Sequence, residues 1–290
     1  MNFINVHKNA KSIQIPKSII FLANTLQTFS STLAAKFGAK LFVTPINFPS
    51  PKREKMLYES AQKKVITINS IGKEVEVLLY GYSKKKILFV HGWAGRSTQL
   101  FMTADKLLEK GYMYVSFDGP AHRNSSGKTT SMPEFLETIK EIDKQFGPFE
   151  IAIGHSFGGM CLYNAVAEGF SVNKLITVGA ADKISDVILN FTKSLQVKPI
   201  IAKKIKQLYD QQWQKDIDSH SSSSVAQKTE IPVLIVHDSF DGDVDVSCAI
   251  NIRQNLKNGK LYITQGLGHT KILRNPKVTN SIIDFIQNGS

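Results

Sequence analysis

The chain has 290 residues, of which 42% are hydrophobic and 21% charged, and a formal net charge of +12. This composition is typical of a globular protein with a sizeable core and excludes collagen-like, low-complexity and disordered chains. Its two cysteines, Cys161 and Cys248, exclude a disulfide framework and favour a reducing compartment, so we expect a cytoplasmic protein, with export or peripheral membrane attachment as the alternative.

The positive charge is concentrated near the amino terminus, where Lys and Arg outnumber Asp and Glu by 14 to 4 in residues 1–86. Such a region favours solubility and is compatible with weak contact to anionic membranes. No nucleic-acid recognition motif accompanies it, so nucleic acid is not an expected partner. No Cys/His cluster has zinc-site spacing, and no metal is expected. The composition leaves the oligomeric state open.

Residues 17–39 form the first predicted helix. Apolar residues recur there at spacings of three and four, which places them on one face: Ile19, Leu22, Leu26, Phe29, Leu33 and Phe37. The segment is too polar for a membrane span, and Lys8, Lys11 and Lys17 before it resemble a signal peptide only weakly. We expect the helix to pack on the body of the protein or across the entrance of its binding site. Residues 1–59 are thus predicted to be an amphipathic helical extension and linker.

The main domain is predicted to span residues 60–290. Segments 65–69 and 75–80 flank a short turn and predict an antiparallel hairpin. Six apolar runs then alternate with helix-length segments, at residues 87–90, 112–117, 150–153, 174–179, 232–236 and 260–264. Strands buried on both faces have this pattern, so the sequence predicts an α/β fold with a mostly parallel sheet flanked by helices.

One connection is too long for a simple crossover. About fifty residues separate the runs 174–179 and 232–236, whereas a crossover needs about a dozen. This insertion contains two predicted helices, 183–195 and 199–214, and a serine run at 221–224 that we expect to be a flexible hinge. Residues 181–231 are therefore predicted to form a small cap over the carboxyl edge of the sheet.

A Gly-x-Ser-x-Gly motif centred on Ser156 follows the apolar run 150–153 and precedes a predicted helix. A strand that turns into a helix so abruptly strains its central residue, and flanking glycines leave room for the neighbouring elements. Ser156 then stands exposed at the end of a strand. The amide of Phe157 lies at a helix N-terminus, where it suits a developing oxyanion.

A serine hydroxyl becomes a nucleophile when a base accepts its proton and an acid orients that base. Of the seven histidines, His269 is favoured because it follows the last predicted strand and precedes the final helix. The other six are His91 and His237 at strand ends, His122 in a loop, His155 predicted to point away from Ser156, and His7 and His220 in segments predicted to be mobile.

Four aspartates follow the apolar run 232–236. Asp241 lies far enough past the strand to turn inward and is the favoured acid. Asp238 is the alternative, although the turn itself needs a capping side chain there. Asp243 and Asp245 are placed to begin the next helix.

The second oxyanion donor is expected in the loop His91-Gly92-Trp93-Ala94-Gly95, which follows the run 87–90. The amide of Trp93 is the candidate, and Gly92 allows the backbone to come close.

Together these motifs resemble the α/β-hydrolase superfamily, in which Ser, Asp and His occur in this chain order. The resemblance covers residues 60–290 and implies an eight-stranded, mostly parallel sheet with a small helical cap inserted after the sixth strand. Segment 117–122 is also similar to this family. Arg123 is a difference, because many relatives carry Gly at that position.

The resemblance implies a serine hydrolase that cleaves a carboxylic ester or thioester through an acyl-enzyme, without a cofactor. Ser156, His269 and Asp241 would form the triad, and Trp93 and Phe157 the oxyanion hole. Serine at position 156 argues against the haloalkane dehalogenase and epoxide hydrolase branches. The small cap favours short to medium acyl groups. The alternative is a ligand-binding or signalling protein on the same scaffold, with slow or no turnover.

Overall fold

The computed structural model describes residues 15–288, so His7, Lys8 and Lys11 lie outside the described residues. Eight strands form one sheet in the order β1-β2-β4-β3-β5-β6-β7-β8. The strands are β1 Gln62–Ile68, β2 Lys73–Tyr80, β3 Lys86–Val90, β4 Met113–Phe117, β5 Ile151–His155, β6 Lys174–Val178, β7 Val233–Asp238 and β8 Gly259–Thr264.

Helices cover both faces of the sheet. The α-helices of the described residues are α1 Lys17–Phe29, α2 Ser31–Phe42, α3 Lys55–Ser60, α4 Phe101–Glu109, α5 Met132–Phe146, α6 Phe157–Ala167, α7 Ile184–Ser194, α8 Pro199–Trp213, α9 Ser222–Ala226, α10 Val246–Asn255, α11 Gly268–Lys271 and α12 Pro276–Asn288. None of the helices between residues 15 and 288 has the length and apolarity that crossing a bilayer requires.

The predicted sheet is confirmed. Strands β1 and β2 form an antiparallel hairpin, β2 pairs antiparallel with β4, and all remaining pairs are parallel. Successive residues of a strand point to opposite faces, so Leu88 and Val90 enter one core layer while Ile87 and Phe89 enter the other. All four are fully buried, which is why the central strands are continuous apolar runs in the sequence.

The single helix predicted over residues 17–39 is wrong in one respect, because two helices, α1 and α2, occupy this region. Ser30 between them has extended backbone angles, and its hydroxyl accepts a hydrogen bond from the Leu33 N–H at 3.3 Å. Serine competes for backbone donors in this way and favours N-cap positions. The apolar periodicity runs through the break, so it does not reveal it.

The two long helices predicted between β6 and β7 are present as α7 and α8. The serine run is not a hinge: Ser221 and Ser222 are buried, and Ser222 donates hydrogen bonds to the carbonyl oxygens of Ala181 and Asp182 at 2.7 and 3.0 Å. This run instead fastens the end of the insertion to its beginning.

The amino-terminal helices pack on the insertion. The Tyr209 hydroxyl of α8 donates to the Ala39 carbonyl of α2 at 2.7 Å. A Cβ at Gly38 would lie 2.9 Å from Ile205 Cδ1, so the glycine allows the two helices to approach closely. Helices α2, α7 and α8 therefore form one layer, although α2 and α8 are far apart in the sequence.

Candidate active site

The turn between β5 and α6 has the strain that the Gly-x-Ser-x-Gly motif predicts. Ser156 has φ 52° and ψ −118°, a conformation that residues with a side chain rarely adopt. A Cβ at Gly154 would lie 2.6 Å from Gly159 Cα, and one at Gly158 would lie 2.2 Å from the Val90 carbonyl oxygen. Only glycine fits these two positions, so the sequence holds Ser156 in its strained geometry at the wall of a cavity.

Two backbone amides lie near Ser156. In the part of the chain that the structure describes, neither the Trp93 N–H nor the Phe157 N–H donates a hydrogen bond to a backbone carbonyl. A Cβ at Gly92 would lie 2.9 Å from Ser156 Cβ, which shows how closely the loop after β3 approaches the serine. The Trp93 and Phe157 rings also meet edge to face, with centroids 5.5 Å apart. Both amides are thus available to a ligand atom beside Ser156.

His269 and Asp241 come together from the loops after β8 and β7. His269 Nδ1 donates to Asp241 Oδ2 at 2.7 Å. The other carboxylate oxygen of Asp241 accepts from the backbone N–H groups of Asp243 and Val244 at 2.8 and 2.9 Å. The carboxylate is therefore held at both oxygens, and only one of them faces the imidazole.

The electrostatic interaction between Asp241 and His269 favours the charged form of each side chain. Burial favours the neutral carboxyl, but the hydrogen bond and positive charge of His269 and the Val244 N–H together lower the pKa of Asp241. Burial likewise favours neutral imidazole, but the hydrogen bond from His269 to Asp241 and the carboxylate charge raise the pKa of His269 above its ordinary 6.5. The imidazole is therefore a stronger base than an isolated histidine would be at this depth.

Asp238 accepts its hydrogen bonds from the end of β8 and from the segments that follow β7 and β8 rather than from His269. Its Oδ2 accepts from the Thr264 hydroxyl at 2.7 Å and the Leu267 N–H at 2.9 Å, and its Oδ1 accepts from the Phe240 N–H at 2.9 Å. These contacts join the ends of β7 and β8. Asp245 caps α10 by accepting from the Ser247 N–H at 3.0 Å, as its place in the sequence predicts.

Ser156 and His269 line the same cavity. Among the described residues, the Ser156 hydroxyl makes no hydrogen bond to His269. Such bonds are often long in unliganded sites and tighten when substrate binds. The structure thus joins His269 directly to Asp241 and places Ser156 and His269 at the wall of one cavity.

Four further histidines are buried around the site. His237 Nε2 lies 3.7 Å from Asp241 Oδ2, and we call the other three, His91, His122 and His155, the buried histidines. Burial lowers their pKa values to about 4, 3 and 3, so all three are neutral near pH 7. His91 Nε2 accepts from the Gly119 N–H at 2.8 Å, and His122 Nε2 accepts from the Ala94 N–H at 3.1 Å. Both bonds stabilise the loop that carries Trp93.

The role of His155 was missed by the sequence analysis, which predicts that it points away from Ser156. Its ring lies 4.7 Å from the His269 ring, and its Nε2 donates to the His269 carbonyl at 3.0 Å. The only sequence signal for this contact is its position next to Ser156 at the end of a central strand. His155 therefore supports the segment that carries the base.

Asp241, Asp243 and His269 place potential ligand atoms within 4.8 Å of one another. A metal ion there would have to displace the bond from His269 to Asp241. The donor set fits a hydrogen-bonded acid and base better than a metal centre.

The cavity beside Ser156 has a volume of about 850 Å³, near the upper end of the ~300–1,000 Å³ typical of small-molecule sites. Its walls come from residues 41–51, from the loop that carries Trp93, and from α7 and α8. The Phe42 ring lies 5.4 Å from the Phe191 ring and 6.3 Å from the Trp93 ring. The amino-terminal segment and the insertion thus enclose an apolar space over the serine.

Comparison with protein-family models gives two matches. A model described as alpha/beta hydrolase fold matches residues 85–228, and a model described as TAP-like protein matches residues 205–290. No curated protein sequence matches the chain.

Several solved structures are similar to the chain. An esterase from Exiguobacterium antarcticum is 20% identical, with 78% of this chain and 100% of that chain covered and a TM-score of 0.61. An esterase from Pyrococcus furiosus is 15% identical, with 84% and 96% covered and a TM-score of 0.64. A bacterial membrane phospholipase A is 17% identical, with 95% and 99% covered and a TM-score of 0.63. At these identities the likeness concerns the fold.

Proposed function

Since the chain belongs to the α/β-hydrolase superfamily, we propose that it is a serine hydrolase that cleaves a carboxylic ester or thioester. The observation that carries the proposal is the 2.7 Å hydrogen bond from His269 Nδ1 to the buried Asp241 Oδ2, because His269 lines the same cavity as the strained Ser156. A base oriented by a buried acid, in one cavity with a half-buried hydroxyl at a strand end, is the arrangement that acyl transfer requires.

In this mechanism Ser156 Oγ attacks the acyl carbon and its proton passes to His269 Nε2. The carbonyl electrons move to oxygen, and the amides of Trp93 and Phe157 bind the resulting oxyanion. The intermediate collapses, the bond to the leaving group breaks, and His269 donates its proton to the departing alcohol or thiol. Water then attacks the acyl-enzyme with His269 as base, which releases the acid and restores Ser156.

Asp241 stays ionised throughout and fixes the proton of His269 on Nδ1, because its Oδ2 accepts from that atom. The Nε2 atom is then unprotonated and free to act as base. The raised pKa of His269 strengthens this base, and its sign predicts that activity is lost as the pH falls through that pKa.

The helices over residues 181–231 and the amino-terminal helices are proposed to act together as the cap of the site. The cavity between them favours larger acyl groups than the length of the insertion alone suggests. The phospholipase that covers 95% of this chain supports long-chain lipid esters as the second substrate class to test. Cys161 and Cys248 are both free, and we keep the cytoplasm as the proposed compartment.

The test is an acyl-chain series of p-nitrophenyl esters, with a matching thioester and amide, on the wild type and on Ser156→Ala. The proposal predicts turnover of esters or thioesters that the variant loses almost completely, with an unchanged unfolding transition. Undiminished activity of the variant would refute the assignment. Labelling by a fluorophosphonate without turnover of any ester would favour the ligand-binding or signalling alternative.

A further inference from the structure

The exposed apolar side chains of the protein are unevenly distributed. Within residues 15–288, large exposed hydrophobic side chains concentrate in the amino-terminal segment, as Phe21, Leu22, Phe29, Leu33, Ile46, Phe48 and Met56. Phe21 and Phe29 are 74% and 82% exposed. Side chains of this size are rarely left in water as a cluster unless the surface binds something.

We call Phe21, Leu22, Phe29 and Leu33 the N-terminal apolar face. Residues 22 and 29 are two helical turns apart on one face of α1, and Leu33 is exposed in the first turn of α2, after the break at Ser30. Exposed lysines stand at both ends, with Lys17 one turn before Phe21 and Lys36 one turn after Leu33. The face thus combines exposed apolar side chains of two consecutive helices with an exposed lysine on each helix.

No acidic side chain offsets these lysines along the chain. The first acidic residue is Glu54, and residues 1–53 contain seven basic ones: Lys8, Lys11, Lys17, Lys36, Lys40, Lys52 and Arg53. Glu54 itself is buried in an ion pair with Arg96. The segment therefore presents positive charge and apolar side chains to its surroundings.

From this combination we infer that the N-terminal apolar face docks on an anionic lipid bilayer, from which the site takes a lipid ester. Apolar side chains with lysines at their border and no acids are the signature of an interfacial helix. A second copy of the chain is a poorer occupant, because pairing two such faces would bring like charges together.

The cavity opens within the same segment. Ile46 and Phe48 are exposed and also line the cavity. Ile19 of α1 lines it as well, from the side of the helix opposite Phe21. An acyl chain that leaves a bilayer held by this face can therefore enter the cavity past the exposed side chains of Ile46 and Phe48. This lipid-substrate step rests on the proposed ester hydrolysis, whereas docking does not.

Docking is tested by co-sedimentation of the full chain, as the Ser156→Ala variant, with phosphatidylcholine vesicles that contain or lack phosphatidylglycerol. We expect binding to the anionic vesicles that weakens with salt. Phe21→Ser with Phe29→Ser should lower the partition coefficient on the order of 100-fold. Lys17→Gln with Lys36→Gln should lower it roughly 30-fold. Neither pair lines the cavity.

Matched controls make the test specific. Tyr82 is 90% exposed in the loop after β2, and Tyr82→Ser should leave binding unchanged, as should Lys84→Gln with Lys110→Gln. The inference is overturned if anionic vesicles do not bind the protein, if neutral vesicles bind it equally, or if the controls lose binding as the test pairs do. A dimer that the phenylalanine pair converts to monomer, without vesicle binding, would also overturn it.

The same variants separate docking from chemistry. In an otherwise wild-type chain, the phenylalanine pair should lose hydrolysis of a long-chain ester embedded in anionic vesicles but keep its rate on soluble p-nitrophenyl butyrate. Equal rates on the embedded ester would overturn the lipid-substrate step. Vesicle binding without hydrolysis of any ester would overturn the proposed function and that step, and would leave docking supported.

Discussion

Replacing Asp241 with asparagine tests the central pair of the site. The Oδ1 atom of Asp241 accepts from the N–H groups of Asp243 and Val244 at 2.8 and 2.9 Å. An asparagine must keep its carbonyl oxygen there, which turns its NH₂ group toward His269. That donor bonds only to an unprotonated Nδ1, so the imidazole proton moves to Nε2, and His269 can no longer accept the proton of Ser156.

The expected loss is large because the base is disabled while its position is kept. A wrong tautomer of this kind lowers kcat about 10⁴-fold in a serine protease triad. The pH profile should move as well. The carboxylate helps to raise the pKa of His269 against the effect of burial, so its loss shifts the acid limb of kcat/KM to lower pH.

The assay is kcat/KM for a p-nitrophenyl ester between about pH 5 and 9, with Asp238→Asn as the matched control. In that variant an amide donor faces the N–H and O–H donors that Asp238 now binds, so the free energy of unfolding should fall by about 1–3 kcal/mol while the acid limb stays in place. If Asp241→Asn kept full activity and an unmoved acid limb, or if Asp238→Asn moved the limb instead, the assignment of the acid would be wrong.

Three further predictions concern the surroundings of the site. Gly92→Ala places a Cβ 2.9 Å from Ser156 Cβ, so kcat should fall sharply in the ester assay. Gly111→Ala meets no atom within 4 Å but strains a backbone at φ 79°, so it should lower stability and leave kcat unchanged. Glu54→Gln leaves Arg96 buried without its carboxylate partner, now 2.5 Å away, and should cost about 3–5 kcal/mol in urea unfolding; a loss below about 1 kcal/mol would contradict this estimate. The buried histidines bind protons in the unfolded chain below pH 6.5 but in the native state only near pH 3–4. The free energy of unfolding should therefore fall by about 1.6 kcal/mol per histidine between pH 6.5 and 5; urea titrations that show no such loss would refute their neutral burial.

The sheet could be predicted because a strand that is buried on both faces is a continuous apolar run in the sequence. A strand such as Ile87–Val90 needs apolar residues at every position, and this pattern does not depend on the rest of the chain. The turn at Ser156 is equally local, because a side chain at position 154 or 158 would collide with neighbouring backbone atoms. Both features could be predicted from a few consecutive residues.

Other features depend on contacts that no short stretch records. The break at Ser30 interrupts a helix whose apolar spacing continues across it. The serine run at 221–224 has a composition typical of linkers, yet Ser222 is buried by bonds to Ala181 and Asp182. In both cases the hydrogen-bond partner of a serine hydroxyl cannot be predicted from residue propensities. The apolar spacing therefore predicts one continuous helix across Ser30, and the composition predicts a mobile linker at 221–224.

The size of the cavity is the feature least accessible to sequence reasoning, and the reason is topological. The length of the insertion between β6 and β7 suggests a small cap and thus a small acyl group. The Phe42 ring of α2, however, packs against Phe191 of α7 and Tyr209 of α8, so residues far from the insertion supply the opposite wall. The same amino-terminal segment carries the N-terminal apolar face, so the segment that limits how large an acyl group fits is also the one proposed to dock on the bilayer that supplies it.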